Sequence, residues 1–232
     1  MNFLKKRNKV FCIGTNKTGT SSLSKLFSDL GYNVPSQKFQ ETHLREIHLN
    51  FNVKKFTNFV NKYDFFQDIP FSLDNFYVRV DTLYPNSKFI LTIRDSEEWY
   101  KSLINFHLSK MNKDKQLTRI SSIKNVKKND LKRIKWIDNN YSYEIIKNYH
   151  VSKIVDYKIK YDWSLLYDKD HYINSYEQRI SEIIKFFQKK KDQLLIIDIT
   201  KENDTRKLFK FLSINKNNQA FPHMNKSKII DN

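Results

Sequence analysis

The chain of 232 residues is poor in glycine and cysteine. It has three glycines, Gly14, Gly19 and Gly31, which all lie within one short stretch. Its one cysteine, Cys12, can form no intramolecular disulfide, and metal sites of the CxxC type are excluded. Because Cys12 lies inside an apolar run, we expect a buried and unreactive thiol.

Long hydrophobic runs are also lacking. The apolar runs are short, such as residues 10–13, whereas a membrane-spanning helix needs about 20 apolar residues. The start of the chain carries basic residues but not the apolar stretch of about 7 to 15 residues that is typical of a secretory signal. The sequence therefore predicts no membrane span and a cytoplasmic protein.

Basic residues are in excess: 42 Lys and Arg against 25 Asp and Glu give a formal net charge of +17. Hydrophobic residues make up 39% of the chain and aromatic residues 15%, which is enough for a packed core and excludes a disordered basic tail. The lysines form no single stripe and no nucleic-acid recognition motif is visible, so we expect no specific nucleic-acid partner. A basic nucleic-acid-binding protein nevertheless stays open as an alternative, and it would lose affinity steeply with salt.

Strand-like and helix-like segments alternate along the chain. Apolar runs predict strands at residues 9–14, 63–66, 88–93 and 194–199. Four apolar residues at helical spacing predict an amphipathic helix that Gly31 ends: Leu23, Leu26, Phe27 and Leu30. The pattern predicts a single α/β domain over residues 1–232, with a central parallel sheet of about four or five strands flanked by helices. A mostly helical insertion is expected at about residues 107–190.

The most informative segment is the loop of residues 14–22, which joins the first strand to the first helix. A glycine loop that leads into a helix N-terminus binds phosphate or sulfate through backbone N–H groups and the helix dipole. Thr20, Ser21 and Ser22 add hydroxyl groups, and Lys17 adds a positive charge. The glycines have the GxxxxG spacing of a nucleotide P-loop, but the lysine that this motif requires after the second glycine is missing. A nucleotide or nucleoside kinase is therefore only an alternative.

This loop resembles that of the sulfotransferases that use 3′-phosphoadenosine 5′-phosphosulfate (PAPS). In that family Lys, a small residue, Gly, Thr and Ser or Thr follow one another, as they do at residues 17–21. Arg94 at a strand end and Ser102 eight residues later match the family's two contacts to the 3′-phosphate. Residues 84–100 are also similar to the family, with Ser96 where proline is usual. Three further segments are similar to one branch of the family: residues 68–70, 195–199 and 221–225.

The resemblance implies a three-layer, P-loop-like fold and transfer of a sulfuryl group from PAPS to a hydroxyl or amine. The acceptor would be a small molecule or a carbohydrate, and by elimination it would bind to the mostly helical part at about residues 107–190. The product would be adenosine 3′,5′-bisphosphate (PAP), and no metal would be needed. Lys17 is expected to stabilise charge on the oxygen that bridges phosphorus and sulfur. The implied cofactor-binding residues are Asn16, Lys17, Thr18, Gly19, Thr20, Ser21, Ser22, Arg94 and Ser102. An inactive member of the family is a further alternative.

An acceptor hydroxyl must lose its proton to a general base. Asp68, at the end of the second predicted strand and before Pro70, is the first candidate, and its alternative role is to cap the turn. His43, His48 and His107 are the rivals.

The remaining candidates lie in the middle and near the end of the chain. Five aromatic residues suit either stacking against a sugar or aromatic ring or packing in the core: Trp136, Tyr141, Tyr143, Trp163 and Tyr167. Asn225 and Lys226 are candidates for the adenosine side of the cofactor site, and His223 has no assigned role. The sequence leaves the oligomeric state open.

Overall fold

The structure is a computed structural model that describes residues 8–49, 51–113, 115–116, 118–134, 141–202 and 204–224. The strands are β1 (Val10–Cys12), β2 (Phe65–Phe66), β3 (Lys88–Thr92), β4 (Ser152–Val155), β5 (Lys158–Tyr161) and β6 (Leu194–Ile197). The helices are α1 (Thr20–Asp29), α2 (Gln37–Leu49), α3 (Val53–Val60), α4 (Phe76–Leu83), α5 (Ser96–Met111), α6 (Tyr141–His150), α7 (Lys169–Phe186) and α8 (Arg206–Leu212). Short 3₁₀ helices lie at Ile123–Asn125, Lys128–Arg133, Trp163–Leu165 and Phe187–Lys189.

The chain divides into two compact units. The first unit comprises Met1–Arg94 and Glu182–Asn232, and the second comprises Asp95–Ser181. The first contains a parallel four-stranded sheet in the order β2-β1-β3-β6. The predicted α/β fold with a central parallel sheet flanked by helices is therefore confirmed, and it agrees with a P-loop-like fold. The extent of a single domain over the whole chain stays a prediction.

Aromatic side chains fill both faces of the sheet in the first unit. On one face Phe11 stacks on Phe66, with ring centroids 4.9 Å apart, and lies 5.8 Å from Phe89. On the other face Phe27 of α1 stacks on Phe65 at 3.9 Å. All five side chains are fully buried. Burial of each contributes about 1.5–3 kcal/mol, which explains why strands of only two to five residues are held firmly in place.

The first helix forms as its pattern predicts. Leu23, Leu26 and Phe27 are buried against the sheet, and the helix ends at Leu30 as its C-cap. Gly31 follows with φ of 77°, in the left-handed region that glycine adopts without steric cost. The sequence therefore fixes both the buried face and the end of α1.

The second unit holds α5, α6, most of α7 and an antiparallel hairpin of β4 and β5. Asp95 caps α5 by accepting a hydrogen bond from the Glu98 N–H at 3.1 Å. Trp99 of α5 stacks on Tyr176 of α7 with ring centroids 4.3 Å apart.

The hairpin departs from the mostly helical expectation for residues 107–190. At its turn Asp156 and Tyr157 both have positive φ, 52° and 60°, as a type I′ turn requires. The sequence analysis missed it because this turn lacks the usual Gly and because the strands are largely exposed, so that no buried stripe marks them.

None of the helices within the described ranges combines the length and the apolar character needed to cross a bilayer.

Candidate active site

The site lies where three parallel strands of the first unit end. β1 leads into the loop of residues 14–19, β2 leads to Asp68, and β3 ends at Thr92, two residues before Arg94. Since the carboxyl ends of parallel strands meet at one edge of a sheet, the topology brings these three segments to the same edge. Ligands of open α/β sheets bind at this edge.

Two glycines allow the loop to pack closely. A Cβ atom on Gly14 would lie 2.0 Å from Thr92 Oγ1 and 2.4 Å from the Thr92 carbonyl oxygen. A Cβ atom on Gly19 would lie 2.2 Å from Ile199 Cδ1, and Gly19 has φ of 93°. Larger residues at either position would therefore push the loop away from β3 or from the segment after β6.

The N-terminus of α1 has no side-chain cap. Gly19 is its N-cap residue, and the Gly19 carbonyl accepts hydrogen bonds from Ser22 N–H at 3.0 Å and Leu23 N–H at 3.3 Å. Glycine has no side chain to cap the first N–H groups of the helix, and the first turn, all of which is described, contains no acidic residue. These N–H groups are the part of α1 that an anionic ligand would use.

Two hydroxyl groups of the loop, those of Thr18 and Ser22, join it to other segments of the chain. The fully buried Thr18 hydroxyl donates to the Thr15 carbonyl at 2.5 Å and shares a hydrogen bond with Thr92 Oγ1 at 2.6 Å, so it fastens the loop to β3. Ser22 Oγ accepts from the Met224 N–H at 3.4 Å, which joins the end of the described chain to α1.

The next polar groups of the loop are those of Thr15, Asn16, Lys17 and Ser21. Thr15 Oγ1 is buried and has no hydrogen-bond partner among the described residues. Asn16, Lys17 and Ser21 are half-buried. Lys17 has φ of 66°, so its backbone is left-handed, a conformation that costs a residue with a side chain about 1–2 kcal/mol.

Asp68 is buried at the turn after β2, with 7% of its surface exposed and φ of 60°. Its Oδ1 accepts from the Ile69 N–H at 3.0 Å and from the Ser72 hydroxyl at 3.4 Å, so this oxygen caps the turn. Its Oδ2 accepts instead from Gln37 Nε2 of α2 at 3.2 Å. Asp68 therefore caps the turn with Oδ1, while its Oδ2 is directed to α2.

Burial raises the pKa of Asp68 to about 6, and the Ile69 N–H, the Ser72 hydroxyl and the charge of Lys17 partly offset this rise. The effect of Lys17 shows that the loop and the Asp68 turn share one electrostatic environment. At neutral pH Asp68 is largely ionised but easily protonated, as a general base must be.

A second carboxyl group, which the sequence analysis missed, lies beside Asp68. Glu41 of α2 is 5% exposed, and Gln37 Nε2 donates to Glu41 Oε1 at 2.8 Å. Burial, followed by the charge of Asp68, raises the pKa of Glu41 to about 7, and the hydrogen bond from Gln37 works against this rise.

Cys12 is buried as predicted. Burial raises the pKa of its thiol to about 12, so it is not ionised at neutral pH.

Arg94 and Ser102 occupy the elements that the sequence predicts. Arg94 follows β3, whose extension is held by a hydrogen bond from Ile93 N–H to the Ile197 carbonyl at 3.0 Å. Arg94 is half-buried at the end of the first unit. Ser102 is half-buried within α5 of the second unit. Their joint contact to a 3′-phosphate stays a prediction.

The rival histidines have other surroundings. His43 is exposed on α2, where its Nδ1 lies 3.1 Å from the Phe39 carbonyl and its ring packs on Phe39 and Phe59. His107 is buried in the second unit with its Nδ1 2.9 Å from the Tyr167 hydroxyl. His223 is exposed. None of these contacts involves Asp68 or the loop.

Two of the aromatic candidates for the acceptor site stack on each other in the second unit: the ring centroids of Tyr143 and Trp163 are 5.8 Å apart. Tyr167 is buried, which fits the core-packing alternative. Several predicted candidates lie outside the described residues or have undescribed side chains: His48, Trp136, Tyr141, Asn225 and Lys226.

Within the described ranges, no group of three or more His, Cys, Asp or Glu side chains is placed to hold a metal ion.

Comparison with known proteins identifies the class of protein that this fold and site define. A family model described as a sulfotransferase domain matches residues 9–230, nearly the whole chain. The chain therefore belongs to the sulfotransferase domain family, and it is a transferase of sulfuryl groups. A search of curated proteins returned no match.

Proposed function

We propose that this chain transfers a sulfuryl group from PAPS to a hydroxyl or amine of a small-molecule or carbohydrate acceptor. One observation carries the proposal. The loop of residues 14–19 leads into a helix N-terminus without a side-chain cap, and the charge of Lys17 in this loop acts on the buried carboxyl group of Asp68.

The residues of the loop fit the phosphosulfate end of PAPS. Gly19 leaves the first turn of α1 without a side-chain cap, and the close approach of Gly14 to Thr92 holds the loop against β3. Thr15 Oγ1 is a buried hydroxyl without a partner among the described residues, as expected in a loop built around a polar ligand. Lys17 supplies a positive charge. For the other end of the cofactor we assign Arg94 to the 3′-phosphate.

PAPS supplies a sulfuryl group bonded to a phosphate, which becomes the 5′-phosphate of PAP. Catalysis of such a transfer consists mainly of positioning and of charge stabilisation. The N–H groups of the first turn of α1 and the Lys17 ammonium stabilise negative charge on the oxygen that leaves sulfur. The proposal assigns no role to a metal, because the helix terminus and Lys17 already supply positive charge.

Asp68 is the general base of the proposal. Its carboxylate takes the proton of the acceptor hydroxyl as the oxygen bonds to sulfur. The turn that Asp68 caps fixes the direction of its Oδ2, while burial keeps the group basic enough to accept a proton near neutral pH.

Calorimetry with PAP tests the proposed donor. We expect PAP to bind the wild-type chain, and Arg94→Ala to weaken binding by about 10–100-fold, the usual cost of losing a charged hydrogen bond. Arg206→Ala is the matched control, because Arg206 is exposed on α8 and pairs with Asp204.

Absence of PAP binding, or binding that responds equally to both substitutions, would contradict the assignment. Binding of ATP with magnesium in preference to PAP would favour a kinase.

A further inference from the structure

One face of α2 holds the turn that carries Asp68. The buried Gln40 donates through Nε2 to the Gln67 carbonyl at 2.5 Å and to the Ile69 carbonyl at 2.8 Å. These two carbonyls lie on either side of Asp68 in the chain. The turn is therefore fixed by a side chain of α2 as well as by its own hydrogen bonds.

On the same face, Gln37 joins two carboxyl groups. Its Nε2 donates to Glu41 Oε1 at 2.8 Å and to Asp68 Oδ2 at 3.2 Å. Residues 40 and 41 lie three and four positions after residue 37, so all three are on one side of the helix. An amide group has only two N–H donors, and here both acceptors are acidic and buried.

Two buried carboxyl groups that share one donor repel each other when both are ionised. The groups that face Asp68 are Lys17 of the loop, Cys12 of β1, Ser72 of the turn, and Gln37 of α2. Of these, Lys17 alone is a basic residue. The pKa of Glu41 is raised by burial and by the charge of Asp68, and the hydrogen bond from Gln37 lowers it. The pair therefore ionises in two coupled steps, one near pH 6 and one near pH 7.

We propose that Glu41 is a positioning residue for Asp68: Gln37 holds the two carboxyl groups in one unit, and the charge of Glu41 makes Asp68 the stronger base for the acceptor proton. The catalytic part of this inference rests on the proposed function. The step is balanced: an oxygen–sulfur bond forms at the acceptor and the sulfur–oxygen bond to phosphate breaks. The electron pair leaves with PAP, and the acceptor proton moves to the carboxyl unit.

The like charge of Glu41 has a definite effect on Asp68. Once Glu41 is ionised, protonation of Asp68 relieves the repulsion, so Asp68 becomes the stronger base. Glu41→Gln keeps the shape of the side chain and removes this charge.

A titration of the free protein tests the unit without any substrate. We would record the carboxyl ¹³C resonances of labelled Asp and Glu as pH is raised. In the wild type we expect the Asp68 resonance to respond to two steps, near pH 6 and pH 7, and in Glu41→Gln to one step near pH 6 or below. Asp29→Asn is the control, since Asp29 is an exposed carboxylate of α1 that pairs with Lys25. Glu41→Asp, which keeps the charge, should restore the second step even if Glu41→Gln folds poorly.

The second measurement is the hydrolysis of PAPS, with water as the acceptor, as a function of pH. On the acid limb of the wild-type profile the rate should rise in two steps, near pH 6 and near pH 7. Glu41→Gln should keep the first step and lose the second, and Asp29→Asn should keep both. A merely structural role for Glu41 would lower the rate at every pH and leave the limb in place.

The outcomes separate the two claims. An Asp68 resonance with one step that Glu41→Gln leaves unchanged would overturn the inference, whatever the activity. Coupled steps in a chain that does not bind PAP would support the carboxyl unit and contradict the proposed function.

Discussion

Two residues of the site keep a left-handed backbone although they carry side chains: Lys17 with φ of 66° and Asp68 with φ of 60°. Such conformations persist only where surrounding contacts hold them, and they often occur at functional sites. Here Thr18 fastens the chain after Lys17 to Thr92, and Gln40 fastens the residues on both sides of Asp68. Both positions are thus fixed by named hydrogen bonds.

The charge of Lys17 can be removed without disturbing this backbone. Lys17→Asn suits the test, because asparagine tolerates the left-handed region better than most residues. We expect PAPS turnover to fall by about 10²–10³-fold, the usual effect of losing one preorganised donor at a transition state, while PAP binding weakens much less. Turnover and calorimetry on the same preparation check this.

Lys25→Asn is the control for that substitution, since Lys25 is an exposed lysine of α1. Equal turnover in the Lys17→Asn and Lys25→Asn variants would contradict the role of Lys17.

The close contact of Gly14 with Thr92 leads to a second prediction at this scale. Gly14→Ala places a Cβ atom 2.0 Å from Thr92 Oγ1, so the loop must shift, and we expect a loss of about 1–3 kcal/mol in the free energy of unfolding together with weaker PAP binding. Denaturant unfolding and calorimetry measure the two effects.

Gly31→Ala is the matched comparison. Gly31 has positive φ but open space around it, so alanine there costs only the backbone strain and leaves PAP affinity unchanged. If Gly31→Ala weakened PAP binding as much as Gly14→Ala, the contact with Thr92 would not be the cause.

At the scale of elements, α2 shows where the sequence is informative and where it is not. β1, β3 and α1 are predicted because their buried residues are apolar and follow a strand or helix period. The face of α2 that contacts the Asp68 turn consists of Gln37, Gln40 and Glu41, which hydrophobic patterning assigns to solvent. The loop, with its glycines, could therefore be predicted, whereas Glu41 required the structure.

For α2, the strongest prediction concerns Gln40. Gln40→Ala leaves the carbonyls of Gln67 and Ile69 without their buried donor, and each such loss costs about 1–3 kcal/mol. We expect faster amide hydrogen exchange in α2 and in the Asp68 turn, with no change in α8.

Lys38→Ala is the control on the same helix, because Lys38 is exposed. Exchange rates that rise equally in both variants would show that Gln40 does not hold the turn.

For the whole molecule, the raised pKa values predict how stability depends on pH. Because the folded pKa of Glu41 is raised to about 7, the native state keeps a proton that the unfolded chain releases near pH 4.5, and the free energy of unfolding falls as pH rises through this window. Burial lowers the pKa of His150 to about 4, so this residue makes the free energy of unfolding rise with pH up to about pH 6.5. The pH dependence of the wild-type stability is therefore a sum of opposing effects.

The difference between two variants isolates Glu41. Glu41→Gln should match the wild type near pH 4 and become more stable than it as pH rises to 8, by roughly 3 kcal/mol at most. Asp29→Asn should show no such pH-dependent gain. Denaturant unfolding at several pH values measures the difference, and a difference that does not grow with pH would mean that Glu41 is not protonated in the folded state.

A crystal structure of the chain with PAP tests the central claim most directly. The account predicts that the 5′-phosphate accepts hydrogen bonds from N–H groups at the start of α1, near Lys17, and that Arg94 contacts the 3′-phosphate. A nucleotide whose 5′-phosphate lies away from the loop of residues 14–19 would contradict the account.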